Sequence, residues 1–151
     1  MSQTNELEIM ERIALDLEGV EESLASSFNT GAEDFNALIR PLSAAGGKRL
    51  RAQLCLLIAN AGTSVERQRI RIAEAVEMLH LATLIHDDVL DQAEIRRGEE
   101  TIHMHKGNKV AILSGDYLFA KAFQIVSEMP NMKYLQIFSH IITCLVEGEF
   151  M

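Results

Sequence analysis

Apolar residues recur every three or four positions along almost the whole chain, and this spacing restricts the fold more than any other feature. In residues 5–28 the apolar positions are separated by acidic ones, which predicts an amphipathic helix with an acidic outer face. The same spacing returns in residues 49–61, 65–90, 108–128 and 132–151. No segment shows the alternation of a half-buried strand. The sequence therefore predicts an all-α helical bundle of about six helices in a single domain.

Three interruptions divide this pattern. The pair Gly46-Gly47 breaks the chain decisively, and Pro130 separates the last two helices. Residues 92–106 are polar and charged, which predicts a loop between two long helices.

Charge and cysteine usage narrow the class of protein. The 151 residues include 14 Lys and Arg against 22 Asp and Glu, a formal net charge of −8. This balance argues against a nucleic-acid partner, because the phosphate backbone requires a basic surface. The N-terminus is acidic where a secretory signal is basic, and no stretch approaches the roughly 18 apolar residues of a membrane span. Cys55 and Cys144 lie far apart and show no CxxC or Cys/His spacing, so we expect reduced thiols. We expect a cytoplasmic protein without an integral membrane segment.

The most specific motif is the acidic run at the end of the third predicted helix, in residues 65–90. Asp87 and Asp91 are four residues apart, so their carboxylates lie on one face, and Asp88 lies about 100° around the helix. Like charges at this spacing destabilise a helix unless a cation lies between them. Oxygen ligands without cysteine suit a hard ion such as Mg2+. The alternative is a solvated acidic helix end.

Basic residues flank this motif in the sequence. Arg96 and Arg97 are adjacent guanidinium groups that can bind phosphate oxygens through paired hydrogen bonds. The segment GGKRLR at residues 46–51 is a glycine turn at a predicted helix start, where backbone N–H groups and cations can bind a second phosphate. His80 lies two helical turns before Asp87 on the same face. The alternatives are a solvated basic loop and a structural core histidine.

Taken in order, three segments resemble the trans-prenyltransferases, the head-to-tail polyprenyl diphosphate synthases. They are GGKRLR, then EMLHLATLIHDDVLDQAEIRRG, then GNKVAILSGDYLFAKAF, and the resemblance extends from about Leu38 to the C-terminus. It implies an isoprenoid-synthase bundle around a deep central cavity and a transferase of isoprenoid biosynthesis. In this family Mg2+ bridges the first Asp-rich motif to an allylic diphosphate. Loss of the diphosphate gives an allylic cation, which the double bond of isopentenyl diphosphate attacks.

The resemblance also implies roles for individual residues. The predicted Mg2+ ligands are Asp87, Asp88 and Asp91. The predicted contact to the allylic diphosphate is Arg96. The predicted ligands of isopentenyl diphosphate are Lys48, Arg51, His80 and Arg97. Arg49 lies in the same motif but is a weaker candidate for direct contact.

Product length depends on the residues that precede the Asp-rich motif. The growing chain must extend from the metal site along the helix that holds it, so Thr83, Ala82 and Leu79 form the first possible floor of the cavity. In the family this chain resembles, bulky aromatics at such positions stop the product early. The small residues here predict a geranylgeranyl or longer product. The alternative is that Ala82 only allows close helix packing.

The chain departs from the family pattern in length. Family members are about twice as long and have a second Asp-rich motif in their C-terminal half. We therefore expect this chain to be the N-terminal part of a prenyltransferase domain, and to be inactive alone. Residues 110–126 and 132–146 are apolar on more than one face, which favours a homodimer over two simple core helices.

Two other functions compete with the synthase. A terpene cyclase shares the Asp-rich motif but needs no site for isopentenyl diphosphate, so GGKRLR, His80 and Arg97 argue against it. A non-catalytic helical subunit of a heteromeric prenyl synthase explains the missing half, but leaves the intact Asp-rich motif without a role. A di-iron bundle is disfavoured because the sequence has no ExxH pair.

Overall fold

The computed structural model describes residues 3–29, 33–44, 47–62 and 65–151. This part of the chain forms seven helices and one two-stranded hairpin, which confirms the all-α class. The helices are α1 (Gln3–Ser27), α2 (Glu33–Ala44), α3 (Leu50–Asn60), α4 (Glu66–Leu90), α5 (Ile102–Lys106), α6 (Asn108–Ser127) and α7 (Lys133–Glu149). The strands are β1 (Ile95–Arg96) and β2 (Glu99–Glu100).

The segment predicted to be a loop, residues 92–106, is more ordered than expected. It contains the antiparallel pair β1–β2 and the five-residue helix α5, which is the seventh helix. Arg97 and Gly98 connect the strands with φ of 52° and 89°, as a two-residue hairpin turn of the primed type requires. The buried Thr101 joins the two ends of the hairpin segment, because its hydroxyl donates a hydrogen bond to the carbonyl oxygen of Ala93 at 2.7 Å. The sequence prediction missed this because the strands are too short to show alternation.

Helix α4 lies at the centre of the bundle. It packs most extensively against α6, and also against α1, α3 and α5. Small side chains allow the helices to approach closely: Ala75 and Ala82 of α4, and Ala111 and Ala122 of α6, are all buried. The C-terminal end of α4 is therefore held by the core on one side while its other side faces the hairpin.

Buried ion pairs connect α4 to the helices around it. Arg69 of α4 donates to both carboxylate oxygens of Asp16 of α1, at 3.0 and 3.1 Å. Asn60, the last residue of α3, donates to the same carboxylate at 3.1 Å. One turn along α4, the fully buried Glu74 accepts hydrogen bonds from the hydroxyls of Ser23 and Ser27, each at 2.6 Å. These bonds fix α1 against α4 with the charges satisfied.

Helices α6 and α7 differ in their burial. Helix α6 is long and apolar enough to cross a membrane by length and composition, which the sequence analysis did not anticipate, and a core helix passes the same test. Seven of its residues are buried in the bundle. Among the described side chains of α7, Phe138 alone is buried, with its ring against Phe123. The apolar outer face of α7 is exposed, through Ile137, Ile141, Leu145 and Val146.

We expect Arg69→Met to lower the free energy of unfolding by about 3–5 kcal/mol, because it leaves the buried Asp16 carboxylate without its cation. Urea denaturation followed by circular dichroism measures the change. Arg67→Met, on the same helix but exposed, is the matched control and should alter stability by less than about 0.5 kcal/mol. Equal losses in the two variants would contradict the interpretation.

Candidate functional site

The C-terminal turn of α4 presents the three predicted metal ligands in three different environments. Asp88 is buried, Asp87 is half-buried and Asp91, which caps the helix, is exposed. Because Asp87 and Asp91 are four residues apart, they share the face that is open to solvent. The helix geometry therefore separates this pair from Asp88.

Asp88 is paired with a predicted phosphate ligand. Its Oδ1 accepts a hydrogen bond from Nε of Arg96 at 2.7 Å, and the Arg96 side chain is about one-third exposed. The N–H group of Ala93 donates to the carbonyl oxygen of Asp88 at 3.0 Å, which draws the start of the hairpin onto the end of α4. The structure thus brings together two predicted site residues, Asp88 and Arg96. They form an ion pair with each other, whereas the sequence analysis gave them separate ligands.

The open acidic face includes one residue that the sequence analysis did not assign to the site. Burial raises the pKa of Asp87, and the negative charges of Glu149, Asp91 and Asp88 raise it further while Arg96 opposes them. Glu149 is the last residue of α7, so the end of that helix lies close to Asp87. Sequence spacing does not show the effect of Glu149 on Asp87, because the two residues are far apart in the sequence.

The acidic face fits a hard cation. A positive charge near Asp87 and Asp91 would relieve their mutual repulsion, and carboxylates that leave room for water and phosphate oxygens suit Mg2+. In the described part of the chain, no group of three His, Cys, Asp or Glu side chains already converges as a closed metal site. The residues present can hold Mg2+ only with further oxygen ligands from solvent or substrate.

A basic cluster, which we define as Arg51, His80, Arg96 and Arg97, lies beside this face. Burial lowers the pKa of His80, and the charges of Arg51, Arg97 and Arg96 lower it further against the opposing charge of Glu77. These influences place the three arginines near His80, although they come from α3, β1 and the hairpin turn. The neutral imidazole is favoured in the folded state, so stability decreases as pH falls below the ordinary range of histidine.

The basic motif before α3 also meets the hairpin. A Cβ atom on Gly47 would lie 3.4 Å from Nη2 of Arg97, so the guanidinium rests against this glycine. Gly46 lies outside the described residues. Lys48 has an exposed side chain, and its carbonyl oxygen accepts a hydrogen bond from Gln53. The three predicted basic elements therefore converge.

One backbone donor at the start of α3 is already occupied. The N–H group of Ala52, in the first turn, donates to Oε1 of Glu77 at 2.9 Å, so this group is not available to a phosphate. Arg49 is held by Glu21, at 2.6 and 3.1 Å, and by Glu77 at 3.4 Å. These ion pairs explain why Arg49 is the weakest candidate for substrate contact in the motif.

His86, which directly precedes Asp87, faces α6. Its Nε2 lies 3.1 Å from the carbonyl oxygen of Ile112 and 3.5 Å from the carboxylate of Asp116, both on α6. A Cβ atom on Gly115 would lie 2.2 Å from the same nitrogen, so the imidazole fits against α6 only because this residue is glycine. This contact fixes the turn of α4 that precedes Asp87.

The candidate chain-length residues divide between two faces of α4. Ala82 is completely buried and Leu79 is 6% exposed, so both belong to the core of the described bundle. Thr83 is half-buried, lies four residues before Asp87, and donates a hydrogen bond to the carbonyl oxygen of His80. Thr83 is therefore the one of the three that shares the face of the acidic and basic groups.

Two surface cavities lie at the other end of α4. One of about 230 Å³ is lined by Arg67, Arg71 and Pro130, and one of about 770 Å³ lies between α1 and the first turns of α4. Neither is the deep central cavity that the sequence analysis expected beside the Asp-rich motif.

Comparison with known proteins identifies the family. A family model described as polyprenyl synthetase matches residues 32–151. The chain belongs to the polyprenyl synthetase family. This polyprenyl synthetase chain is 33% identical over 143 residues to the octaprenyl diphosphate synthase of Escherichia coli, a match that covers 95% of the chain and 44% of that relative.

Two further relatives agree with this assignment. The chloroplastic solanesyl diphosphate synthase 1 of Arabidopsis thaliana is 34% identical over 147 residues, covering 93% of the chain and 36% of that protein. The crystal structure of a polyprenyl synthase from Caulobacter crescentus, complexed with calcium and isoprenyl diphosphate, superposes with a TM-score of 0.86 at 36% identity. That match covers 93% of the polyprenyl synthetase chain and 44% of the solved one. The chain thus spans less than half the length of these relatives.

We expect Gly115→Ala to lower the free energy of unfolding by about 1–3 kcal/mol, because the added methyl group displaces the His86 ring. Thermal or urea denaturation checks this. Gly148→Ala is the matched control, since a Cβ atom there meets nothing within 4 Å. That control should leave stability unchanged or raise it by up to about 1 kcal/mol through helix propensity. A neutral Gly115→Ala would show that His86 is not held as described.

Proposed function

We propose that this chain provides the first half of the active site of an Mg2+-dependent polyprenyl diphosphate synthase. The enzyme condenses isopentenyl diphosphate head-to-tail with an allylic diphosphate. The observation that supports this most directly is the juxtaposition of the open acidic face, Asp87 and Asp91, with the basic cluster at the same end of α4. Two diphosphate substrates carry more negative charge than one group of cations offsets, so a metal site with further arginines beside it suits a pair of them.

The allylic diphosphate binds at the acidic face. Asp87 and Asp91 hold Mg2+ there, and Asp88 keeps Arg96 in place to contact the diphosphate oxygens. When bound, Mg2+ supplies positive charge that stabilises the departing diphosphate. The Caulobacter crescentus relative in complex with calcium and isoprenyl diphosphate supports a divalent cation and a prenyl diphosphate as ligands of this fold.

Isopentenyl diphosphate binds at Lys48 and at three members of the basic cluster, Arg51, His80 and Arg97. Arg51, Arg97 and the exposed Lys48 provide cations from two segments, and neutral His80 donates one hydrogen bond without adding to their repulsion. The allylic carbon–oxygen bond breaks, the double bond of isopentenyl diphosphate forms the new carbon–carbon bond, and a proton leaves. The residues of this chain orient the two diphosphates so that the reacting carbons meet.

The second half of the proposed active site comes from residues that this chain does not contain. The exposed apolar face of α7 favours association with another helical surface, and we propose that a homodimer forms through it. We further propose a cytoplasmic enzyme. The same exposed face supports the second candidate, a subunit of a heteromeric prenyl synthase, in which another chain supplies the second half.

We expect products longer than farnesyl diphosphate, because no aromatic residue lies on α4 between Ile72 and His86. The octaprenyl and solanesyl synthases among the relatives support this. In an active synthase that contains this chain, Thr83→Phe should shorten the product, since it fills the face below Asp87 by about one turn, ~5.4 Å. Ala82→Phe should instead destabilise the fold, because Ala82 is completely buried.

Chromatography of labelled products, beside thermal denaturation of both variants, separates these outcomes. If Thr83→Phe yields the wild-type distribution of chain lengths while Ala82→Phe is stable and makes shorter products, then the channel follows the Ala82 face instead.

We expect inorganic diphosphate to bind the chain more tightly in the presence of Mg2+. Asp87→Asn or Asp91→Asn should remove most of that gain, about tenfold or more in Kd, because each removes a charged metal ligand. Isothermal titration with and without Mg2+ measures it. Glu11→Gln is the control, since Glu11 lines the cavity near Arg69, about 27 Å along α4 from Asp87. Binding that is indifferent to Mg2+ in every variant would count against the proposed metal site.

We expect the 151-residue chain alone to condense no isopentenyl diphosphate, because its sequence has one Asp-rich motif where the family has two. The assay combines labelled isopentenyl diphosphate, an allylic diphosphate and Mg2+ with chain of verified mass. Turnover that persists through purification and disappears in Asp87→Ala would overturn this expectation.

A further inference from the structure

We propose that Glu77 is a positioning residue of the isopentenyl diphosphate site. Its carboxylate fixes the start of α3 and with it the position of Arg51. This inference rests on the proposed function, because it concerns how the basic cluster is assembled to receive a diphosphate.

Glu77 holds one short segment at two points. It is 6% exposed, and its Oε1 accepts the hydrogen bond from the N–H group of Ala52 at 2.9 Å. Its Oε2 lies 3.4 Å from Nη1 of Arg49. Arg49 has a φ of 48°, in the left-handed region that a non-glycine residue adopts only at some cost. Glu21 of α1 holds the same guanidinium from the outside, at 2.6 and 3.1 Å.

Arg51 lies between these two points. Glu77 holds the guanidinium of Arg49 on one side and the backbone N–H group of Ala52 on the other, so its contacts restrain the position of Arg51. On α4, Glu77 and His80 are three residues apart and lie on adjoining faces of one turn. The same turn of α4 therefore carries Glu77, which holds residues 49–52, and His80, on which the charge of Arg51 acts.

The charge of Glu77 has a second consequence. The carboxylate occupies one backbone donor at the positive end of α3, so the Ala52 N–H group is not available to a diphosphate. It also raises the pKa of His80 against the three arginines. This negative charge offsets the repulsion among the cations before substrate arrives, but it also repels the substrate.

These two roles predict opposite effects on binding, which makes the inference testable. Glu77→Asp keeps the charge but draws the carboxylate back by about 1.5 Å, beyond hydrogen-bond reach of Ala52. Glu77→Gln removes the charge but keeps an oxygen in place for the Ala52 N–H group. The matched control is Glu74→Gln, which neutralises an equally buried carboxylate one turn away that contacts Ser23 and Ser27 instead.

The experiment measures the Kd of inorganic diphosphate by isothermal titration, and the pKa of His80 by NMR. If Glu77 positions the cluster, Glu77→Asp weakens binding about tenfold, the equivalent of one charge-assisted hydrogen bond, and Glu77→Gln binds within about threefold of wild type. Glu77→Gln also lowers the pKa of His80, because an attractive charge is lost. Glu74→Gln changes neither quantity, whatever it does to stability.

Other outcomes overturn the inference. Unchanged binding in Glu77→Asp together with tighter binding in Glu77→Gln would mean that Glu77 acts through charge alone. If Glu77→Asp does not fold, Glu21→Gln replaces it, because Glu21 is exposed and holds Arg49 from outside. Glu21→Gln should weaken binding about threefold, and unchanged binding would refute the inference. Failure of the wild-type chain to bind diphosphate would instead refute the proposed function of the cluster, and this inference with it.

Discussion

The close packing of α4 against α6 is the contact on which the rest of the structure depends. Buried alanines on both helices and Gly115 on α6 let the backbones approach, and His86 fits into the space that Gly115 leaves open. This contact sets the rotation of α4 about its axis. Because Asp87 follows His86 directly, the same rotation decides that Asp87 and Asp91 face outward and that Asp88 faces Arg96.

Three buried carboxylates on and around α4 have different tasks. Asp16 joins α1 to α4 through its ion pair with Arg69, and Glu74 does so through the hydroxyl groups of Ser23 and Ser27. Glu77 instead satisfies a backbone donor of α3. Buried charges are costly unless they are paired, so their placement fixes which helix faces may meet. The acidic composition of the chain thus contributes to its architecture as well as to its surface.

The sequence predicted the long helices better than it predicted the hairpin and the contacts within the site. Apolar spacing predicted the long helices because their faces are buried against the core along their full length. The hairpin was missed, because two residues per strand give no period and Arg97 adopts a positive φ without being glycine. The roles of Glu77 and Glu149 were also missed, because both depend on contacts between segments distant in sequence. The Asp-rich motif and the two arginines after it predicted a site at this end of α4, but their spacing did not predict that Asp88 and Arg96 form an ion pair.

The β1–β2 hairpin has a consequence for the order in which the site becomes rigid. A hairpin with two residues per strand is not stable by itself in water, so contacts with the rest of the protein stabilise it. These anchoring contacts are Arg96 with Asp88, Arg97 with Gly47 and Thr101 with Ala93. Two of these anchors are arginines of the basic cluster. Both arginines lie on one short hairpin, so the backbone couples their positions. The arginines are thus rigid or mobile together, and an anion that engages either one orders the other.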